Sequence, residues 1–298
     1  MSARAAALAL SLALAVVAQG CEEKKPSPDA RRADTGARDG ASSDGDGASS
    51  DGDGASGDGD ATASDAPAPA RFNQLSLEQS GSGSGYLEVP SAAALTGSSF
   101  DQLTVSLWVK RRAAASAQSL AIATFDGPGT FSTQLSLTWQ IGATTAIALR
   151  VPTAAASAVL ADPERWHHVA GVFDGPSAQV RLYLDGQLAA TARAPQAMTM
   201  KNALWIGRYQ SARADGWIDE LAVFNVALGD AAVAAIYNGG TPRDLRLDSG
   251  DYNASAQLSG YYRMGDEVSA IIGPQIRDAA GTLDANVVGV MQLSRDVP

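Results

Sequence analysis

The cleanest alternation of apolar and polar positions in the 298-residue chain runs from Trp166 to Thr191, WHHVAGVFDGPSAQVRLYLDGQLAAT. In a first strand Val169, Gly171 and Phe173 fall on one face and His168, Ala170 and Val172 on the other, as the two-residue period of a β-strand requires. Asp174-Gly175-Pro176-Ser177 then turns the chain, because Gly permits positive φ and Pro ends pairing. From Gln179 to Leu184, Val180, Leu182 and Leu184 point inward, and Arg181 and Tyr183 outward. Asp185-Gly186 follows, the dipeptide of a type I′ hairpin, whose two central residues both need φ > 0. The segment predicts a three-stranded antiparallel meander and an all-β fold.

The same period recurs along the chain. Leu75-Ser76-Leu77 opens it, the Gly81–Gly85 turn leads to Tyr86–Val89, and Pro90 ends that strand. Between Leu103 and Lys110, Leu103, Val105, Leu107 and Val109 face one way and Thr104, Ser106, Trp108 and Lys110 the other. Further strands are expected at 120–125, 135–140, 146–151 and 203–208, and a closing strand at 217–224. Asp230 is the expected N-cap of a helix through Tyr237, with Gly239-Gly240 as its stop. Many short strands joined by Gly/Pro turns predict a sandwich of two antiparallel sheets.

The first 71 residues break this pattern. A short positive start at Arg4 precedes the apolar run Ala5 to Ala18, too short to span a bilayer but the length of a signal-peptide core. It ends in Ala18-Gln19-Gly20-Cys21, which resembles a bacterial lipobox with Ala18 where Leu is usual. Cys21 is the chain's only cysteine, so no internal disulfide forms and Cys21 is the expected lipid attachment. From 22 to 71 no Leu, Ile, Val, Phe, Trp or Tyr occurs, and residues 43–63 repeat with a period of seven (SDGDGAS, SDGDGAS, GDGDATA). An EF-hand would place ligands at loop positions 1, 3, 5, 7, 9 and 12, ending in a bidentate Glu. Here Ala48 falls at the fifth position and no Glu lies between Glu23 and Glu78. The segment is expected to be a disordered acidic tether with a reach of roughly 40 Å. The domains expected are a signal peptide over 1–20, a lipid-anchored linker over 21–71, a sandwich over 72–240, and an extension over 241–298 packed on it.

The formal net charge is −10, with +1 from residues 1–20, −6 from 22–71 and −5 from the remainder. No stretch supplies the cationic footprint that a phosphate backbone requires, which excludes nucleic acid as the expected partner.

Three phrases in order carry a family resemblance: FDQLTVSLWVK (Phe100–Lys110), WHHVA with LYLDG (within 166–186), and GWIDELAVFNVALGDAAVAAIYNGG (Gly216–Gly240). Together they resemble the LamG-like jelly roll of the concanavalin A-like lectin/glucanase fold. The resemblance implies a two-sheet jelly roll and a functionally broad family. Leu258–Asp266 and Asp278–Thr282 are similar to phrases that accompany such modules.

The chemistry is sparser. His167 and His168 are neighbours in a strand and point to opposite faces, so they cannot share one metal; family position implies that His168 is structural. No G-x-S-x-G elbow occurs. A retaining glucanase needs two carboxylates about 5–5.5 Å apart, and laminarinase-type relatives carry them in E-x-D-x-x-E, which none of Glu78, Glu88, Glu164, Glu220 or Glu267 begins or ends. Asp219-Glu220 is the nearest pair, but strand neighbours face oppositely. Residues after Ile206-Gly207, where pentraxin-like relatives carry calcium ligands, are Arg208-Tyr209-Gln210-Ser211. Calcium is thus the one cofactor candidate, with Asp126 and Asp215 as remnant ligands. Trp139 shares a face with Leu135 and Leu137 and is expected in the core. Trp108, on a polar face, and the outward pair Arg181 and Tyr183 are the candidate glycan-binding residues. The expectation is a non-catalytic lipoprotein, lipid-anchored in a bacterial cell envelope at the outer membrane or cell surface, with a glycan as ligand. Adhesion to a surface protein is the alternative, and a glycosidase the third reading.

Overall fold

A computed structural model describes residues 72–81, 83–113, 120–126, 135–141, 144–199, 203–209, 211–266, 275–281 and 283–298. The apolar N-terminal run, Cys21, the acidic repeats and the rest of the tether lie outside the described residues.

In chain order the strands are β1 (Ser76–Gln79), β2 (Tyr86–Val89), β3 (Ser99–Phe100), β4 (Gln102–Arg111), β5 (Leu120–Asp126), β6 (Leu135–Ile141), β7 (Thr145–Val151) and β8 (Ala154–Val159). There follow β9 (His167–Asp174), β10 (Gln179–Leu184), β11 (Gln187–Arg193), β12 (Met198–Thr199), β13 (Ala203–Ile206), β14 (Arg208–Tyr209), β15 (Ala212–Arg213) and β16 (Gly216–Phe224). The last four are β17 (Leu258–Tyr262), β18 (Gln275–Ile276), β19 (Ala285–Val288) and β20 (Gln292–Ser294). Helix α1 is Ala92–Thr96 and α2 is Asp230–Tyr237.

Two large antiparallel sheets result. Sheet A has the order β11-β10-β9-β4-β16-β1-β20, with β17 also pairing β16; sheet B has the order β18-β19-β2-β13-β5-β6-β7-β8. The inward rows interdigitate: Val169 and Phe173 of β9, Val180 and Leu182 of β10 and Leu103, Val105, Leu107 and Val109 of β4 meet Leu135, Leu137, Trp139, Ile147 and Leu149 of sheet B. A Cβ on Gly171 would approach Leu149 Cδ1 to 2.8 Å, so only a missing side chain lets the two sheets close there. The meander pairs antiparallel as predicted, with a register shift between Leu182 and Tyr183 against β11, and its turn has φ of +49° at Asp185 and +76° at Gly186.

The opposite rows make a second apolar cluster. Ala170, Val172, Tyr183, Ala222 and Phe224 turn away from the sandwich core and pack under Val233 and Ile236 of α2, with Leu245, Tyr252 and Tyr261. Helix α2 starts at Asp230 with Gly229 as its N-cap, so Asp230 lies in the first turn rather than at the cap. It stops at Asn238, which adopts the left-handed conformation (φ +51°). Strand β8, AAASAV, has too few large side chains for its alternation to register in the sequence.

Residues 241–298 contribute strands to both sheets. β1 pairs Gly216–Ile218 of β16, and β17 pairs Leu221–Phe224 on the same edge; β19 extends sheet B beside β2, and β20 flanks β1. Asp219 and Glu220 sit at the bulge between these two partners. Glu220 has φ +49°, so the backbone there departs from strand alternation.

Candidate functional site

The expected glycan residues are not an open platform. Trp108 is only 4 % exposed. Its ring lies 5.8 Å from Tyr237 in a stacked arrangement (27°) and 5.3 Å from the His168 imidazole. The Tyr183 hydroxyl donates to Asp230 Oδ1 at 2.6 Å, and burial, helped by that carboxylate, pushes the phenol pKa up. Arg181 Nη2 donates to the Leu228 carbonyl at 3.2 Å and lies 3.7 Å from Asp174. The physical reason is shared: α2 and the chain beyond it use the outward face of sheet A as a second packing surface. A polar-looking strand face in the sequence is thereby covered.

What the structure assembles instead is a groove of about 730 Å³ at one end of that covered face. It is lined by Trp108 and Lys110 from β4 and by Tyr237 with Gly239 and Gly240 at the end of α2. The 162–166 connection (Asp162, Glu164, Arg165 and Trp166), His167 and the Asp185 turn complete the lining. Trp166 and Tyr237 are half-buried, whereas Asp162, Glu164 and Arg165 are exposed. Trp166 Nε1 donates to Asp296 Oδ1 at 2.9 Å and Lys110 Nζ to Asp296 Oδ2 at 2.6 Å, so the C-terminal segment pins two lining residues.

The adjacent histidines have divergent roles. His168 is fully buried, with Nε2 2.8 Å from Ser106 Oγ, and burial lowers its pKa to about 4, which keeps the ring neutral. His167 places Nδ1 2.8 Å from Asp185 Oδ2 and Nε2 2.8 Å from the Asp162 carbonyl. Two acceptors favour the doubly protonated ring, and they raise its pKa although burial, the largest single cause, opposes them. Asp185 is lowered in turn, its burial outweighed by His167 and by the His168 amide, which donates to Oδ1 at 3.0 Å.

The carboxylate pair considered for catalysis is sealed. Asp219 is 0 % and Glu220 3 % exposed. Asn73 Nδ2 donates to Asp219 Oδ2 at 3.0 Å, while Arg263 Nε donates to Glu220 Oε1 at 3.2 Å and the Tyr261 hydroxyl to Oε2. Burial raises both pKa values, that of Glu220 to about 7 despite Arg263. The pair ties the segments before β1 and after β17 to the bulge, out of reach of a substrate.

For calcium, Asp215 accepts Arg112 Nε at 3.1 Å in an ion pair that also holds Glu78, so it is not a vacant ligand. The side chain of Asp126 lies outside the described residues. Among the described residues no group of three or more His, Cys, Asp or Glu is placed to hold a metal.

Sequence reasoning missed Tyr237, Asp162, Glu164, Arg165, Trp166 and Asp185 as lining residues. Trp166 and His167 stand inside the WHHVA phrase, and Asp185 in the turn after LYL; nothing local links any of them to Tyr237, which lies far along the chain.

A sequence model described as the concanavalin A-like lectin/glucanases superfamily matches residues 81–234. The chain belongs to that superfamily. Solved structures with this fold include a heptameric SAP-like pentraxin from Limulus polyphemus at 17 % identity and TM-score 0.46, covering 58 % of this chain and 87 % of the pentraxin. A Bacteroides ovatus protein described as a candidate carbohydrate binding protein has 16 % identity and TM-score 0.51, with 75 % of this chain and 60 % of that one covered. The CBM40 of a Ruminococcus gnavus IT-sialidase, bound to α2,3 sialyllactose, has 20 % identity and TM-score 0.44, covering 54 % and 96 %. No curated protein sequence matches the chain. These likenesses extend to the fold of the superfamily member and no further.

Proposed function

We propose that this superfamily member is a non-catalytic carbohydrate-binding lipoprotein of a bacterial cell envelope, anchored through Cys21 and displayed on the acidic tether of residues 22–71. The observation that carries the binding reading is the groove beside Trp108, where half-buried Trp166 and Tyr237 stand next to exposed Asp162, Glu164 and Arg165. Aromatic faces cover the apolar face of a sugar ring, and flanking carboxylates and guanidinium bond its hydroxyls. The described function of the Bacteroides ovatus protein agrees with this reading.

Trp166→Ala and Tyr237→Ala should each weaken glycan binding at least tenfold on an array, with the melting temperature of Trp166→Ala close to that of the parent. Capture of surface proteins with no glycan binding would replace the reading by adhesion, and reducing-sugar release from β-glucans would replace it by hydrolysis. Cys21→Ala should move the protein out of the membrane fraction and abolish palmitate labelling; persistence in that fraction would remove the anchor.

A further inference from the structure

His167 stands at the start of β9 and lines the groove, where its ring bridges two parts of the lining. Nδ1 lies 2.8 Å from Asp185 Oδ2, in the turn after β10, and Nε2 lies 2.8 Å from the Asp162 carbonyl, in the connection before β9. The same carbonyl accepts the Arg165 amide at 3.0 Å, so it also closes the tight turn that carries Glu164 and Arg165.

Proton count decides what this bridge can be. A neutral imidazole has one N–H and one lone pair, and only the imidazolium donates from both nitrogens. A carbonyl oxygen has no hydrogen to give. The Asp185 carboxyl is held below its ordinary range, its burial outweighed by His167 and the His168 amide, so it too only accepts. The two contacts therefore coexist on the charged ring alone. When the proton leaves, the bond to the carboxylate is the stronger of the two and keeps the remaining hydrogen. Nε2 then turns a lone pair toward the Asp162 carbonyl, and two acceptors at that distance repel.

The rest of the connection has other ties. The Arg111 amide donates to the Pro163 carbonyl at 2.7 Å, and Asp296 holds Trp166. The part that answers to the ring is the Asp162 corner, at the edge of the groove. The titratable and charged groups around the ring come from every neighbouring element: Asp185 from the turn, Asp162, Glu164 and Arg165 from the connection, Lys110 from β4, Tyr237 from α2, and neutral His168 beside it. Lys110 is engaged by Asp296, and Glu164 lies 3.8 Å from Arg111. Burial and Arg165 oppose a proton on His167, whereas Asp185 and the Asp162 carbonyl favour it and prevail.

We infer that His167 is the positioning residue of the groove: as an imidazolium it pins the Asp162 corner to the Asp185 turn, and loss of its proton frees that corner and reshapes the binding site. This role presupposes the groove as the carbohydrate site and adds the condition under which the groove is fully formed. Because the ring's pKa is raised, the bridge is complete below the usual histidine value of 6.5 and is lost as the pH rises through the raised one. A glycan is accordingly held under mildly acidic conditions and released under alkaline ones.

The test compares the full chain with His167→Gln and Asp185→Asn. The glutamine amide stays uncharged at every pH. In Asp185→Asn the amide oxygen keeps the His168 amide and its nitrogen donates to Nδ1 of a neutral ring, whose Nε2–H still reaches the Asp162 carbonyl. The bridge then survives without the extra proton, and Asn tolerates the positive φ of the turn. Ring nitrogen NMR of the parent should place the His167 midpoint above 6.5. Amide hydrogen exchange over residues 162–166, taken relative to His167→Gln at the same pH, should be roughly fivefold slower at about pH 5.5 and equal at about pH 8.5. Asp185→Asn should show no such step. Cellopentaose, laminaripentaose and xylopentaose are the glycan probes. The affinity for any that binds should fall severalfold between the two pH values in the parent and stay level in both variants. A midpoint at or below 6.5, an exchange ratio that does not follow the ring titration, or an equal fall in affinity in His167→Gln would each overturn the role of His167. If a variant folds poorly, the coincidence of ring titration and exchange in the parent decides. If none of the probes binds, their failure counts against the carbohydrate reading of the groove, while the exchange step still decides whether His167 holds the Asp162 corner.

Discussion

Trp108→Ala separates a buried structural indole from an open sugar platform. In the structure Trp108 is nearly inaccessible, stacked beneath Tyr237 and tilted against His168. Removing a buried Trp side chain forfeits its transfer free energy and leaves a cavity, about 3–5 kcal/mol for Trp→Ala. The aromatic contacts with Tyr237 contribute roughly 0.5–1.5 kcal/mol beyond area burial, part of which is already inside that range. The expected loss is about 4 kcal/mol. For a domain of this size each kcal/mol moves the midpoint by roughly 2–4 °C, so the melting temperature should fall by roughly 10 °C. Urea unfolding followed by circular dichroism is the assay, because fluorescence would lose one of its reporters. Trp108→Phe should recover about half of the loss, and a double-mutant cycle with Tyr237→Ala should show coupling on the order of 1 kcal/mol. A loss below about 1 kcal/mol for Trp108→Ala would refute the reasoning, since it would mean that Trp108 faces solvent and α2 does not cover it.

Gly186→Val should destabilise by roughly 2–4 kcal/mol in urea titration, because it places a β-branched residue at φ +76° with its Cβ 2.8 Å from Tyr237 Cδ1; an unchanged midpoint would show that the turn is not type I′. Gly171→Ala should be destabilised by roughly 1–3 kcal/mol through overpacking against Leu149, readable by thermal melting, and a neutral result would mean that the sheets separate freely there. The Glu220 carboxyl, raised from 4.5 to about 7 by burial, holds its proton longer folded than unfolded. Its contribution to stability is therefore fully present below about pH 4.5 and is lost as the pH rises through about 7. Stability of the parent relative to Glu220→Gln should thus decline across that window by up to on the order of 3 kcal/mol, and a flat or rising difference would mean that Arg263 keeps Glu220 ionised.

The strands were legible because a half-buried strand must alternate, and the strands of the meander between Trp166 and Thr191 do so between clear turn signals. The type I′ turn was legible for a local reason, since Asp-Gly tolerates two positive φ values in succession. Legibility failed where the outward side chains of a strand were apolar-poor but covered. Thr104, Ser106, Trp108, Arg181 and Tyr183 read as a solvent face, yet Ser106 bonds His168, Thr104 Oγ1 donates to the Val226 carbonyl, and α2 lies over Trp108 and Tyr183. Alternation likewise argued that Asp219 and Glu220 point apart, and a bulge with left-handed backbone at Glu220 removed the premise.

By itself, then, the sequence determined the all-β class, the strand faces, the hairpin and the membership that three ordered phrases announced. All of these depend on residues within a few positions of each other, where strand period and turn sterics act. Only the tertiary structure decided that α2 covers the outward face of sheet A, that Tyr237 stacks on Trp108, and that Asp296 holds Trp166 and Lys110 at the groove. Those contacts join residues separated by about 130 to 190 positions in most cases, and no local pattern encodes which distant surface will come to cover a given face.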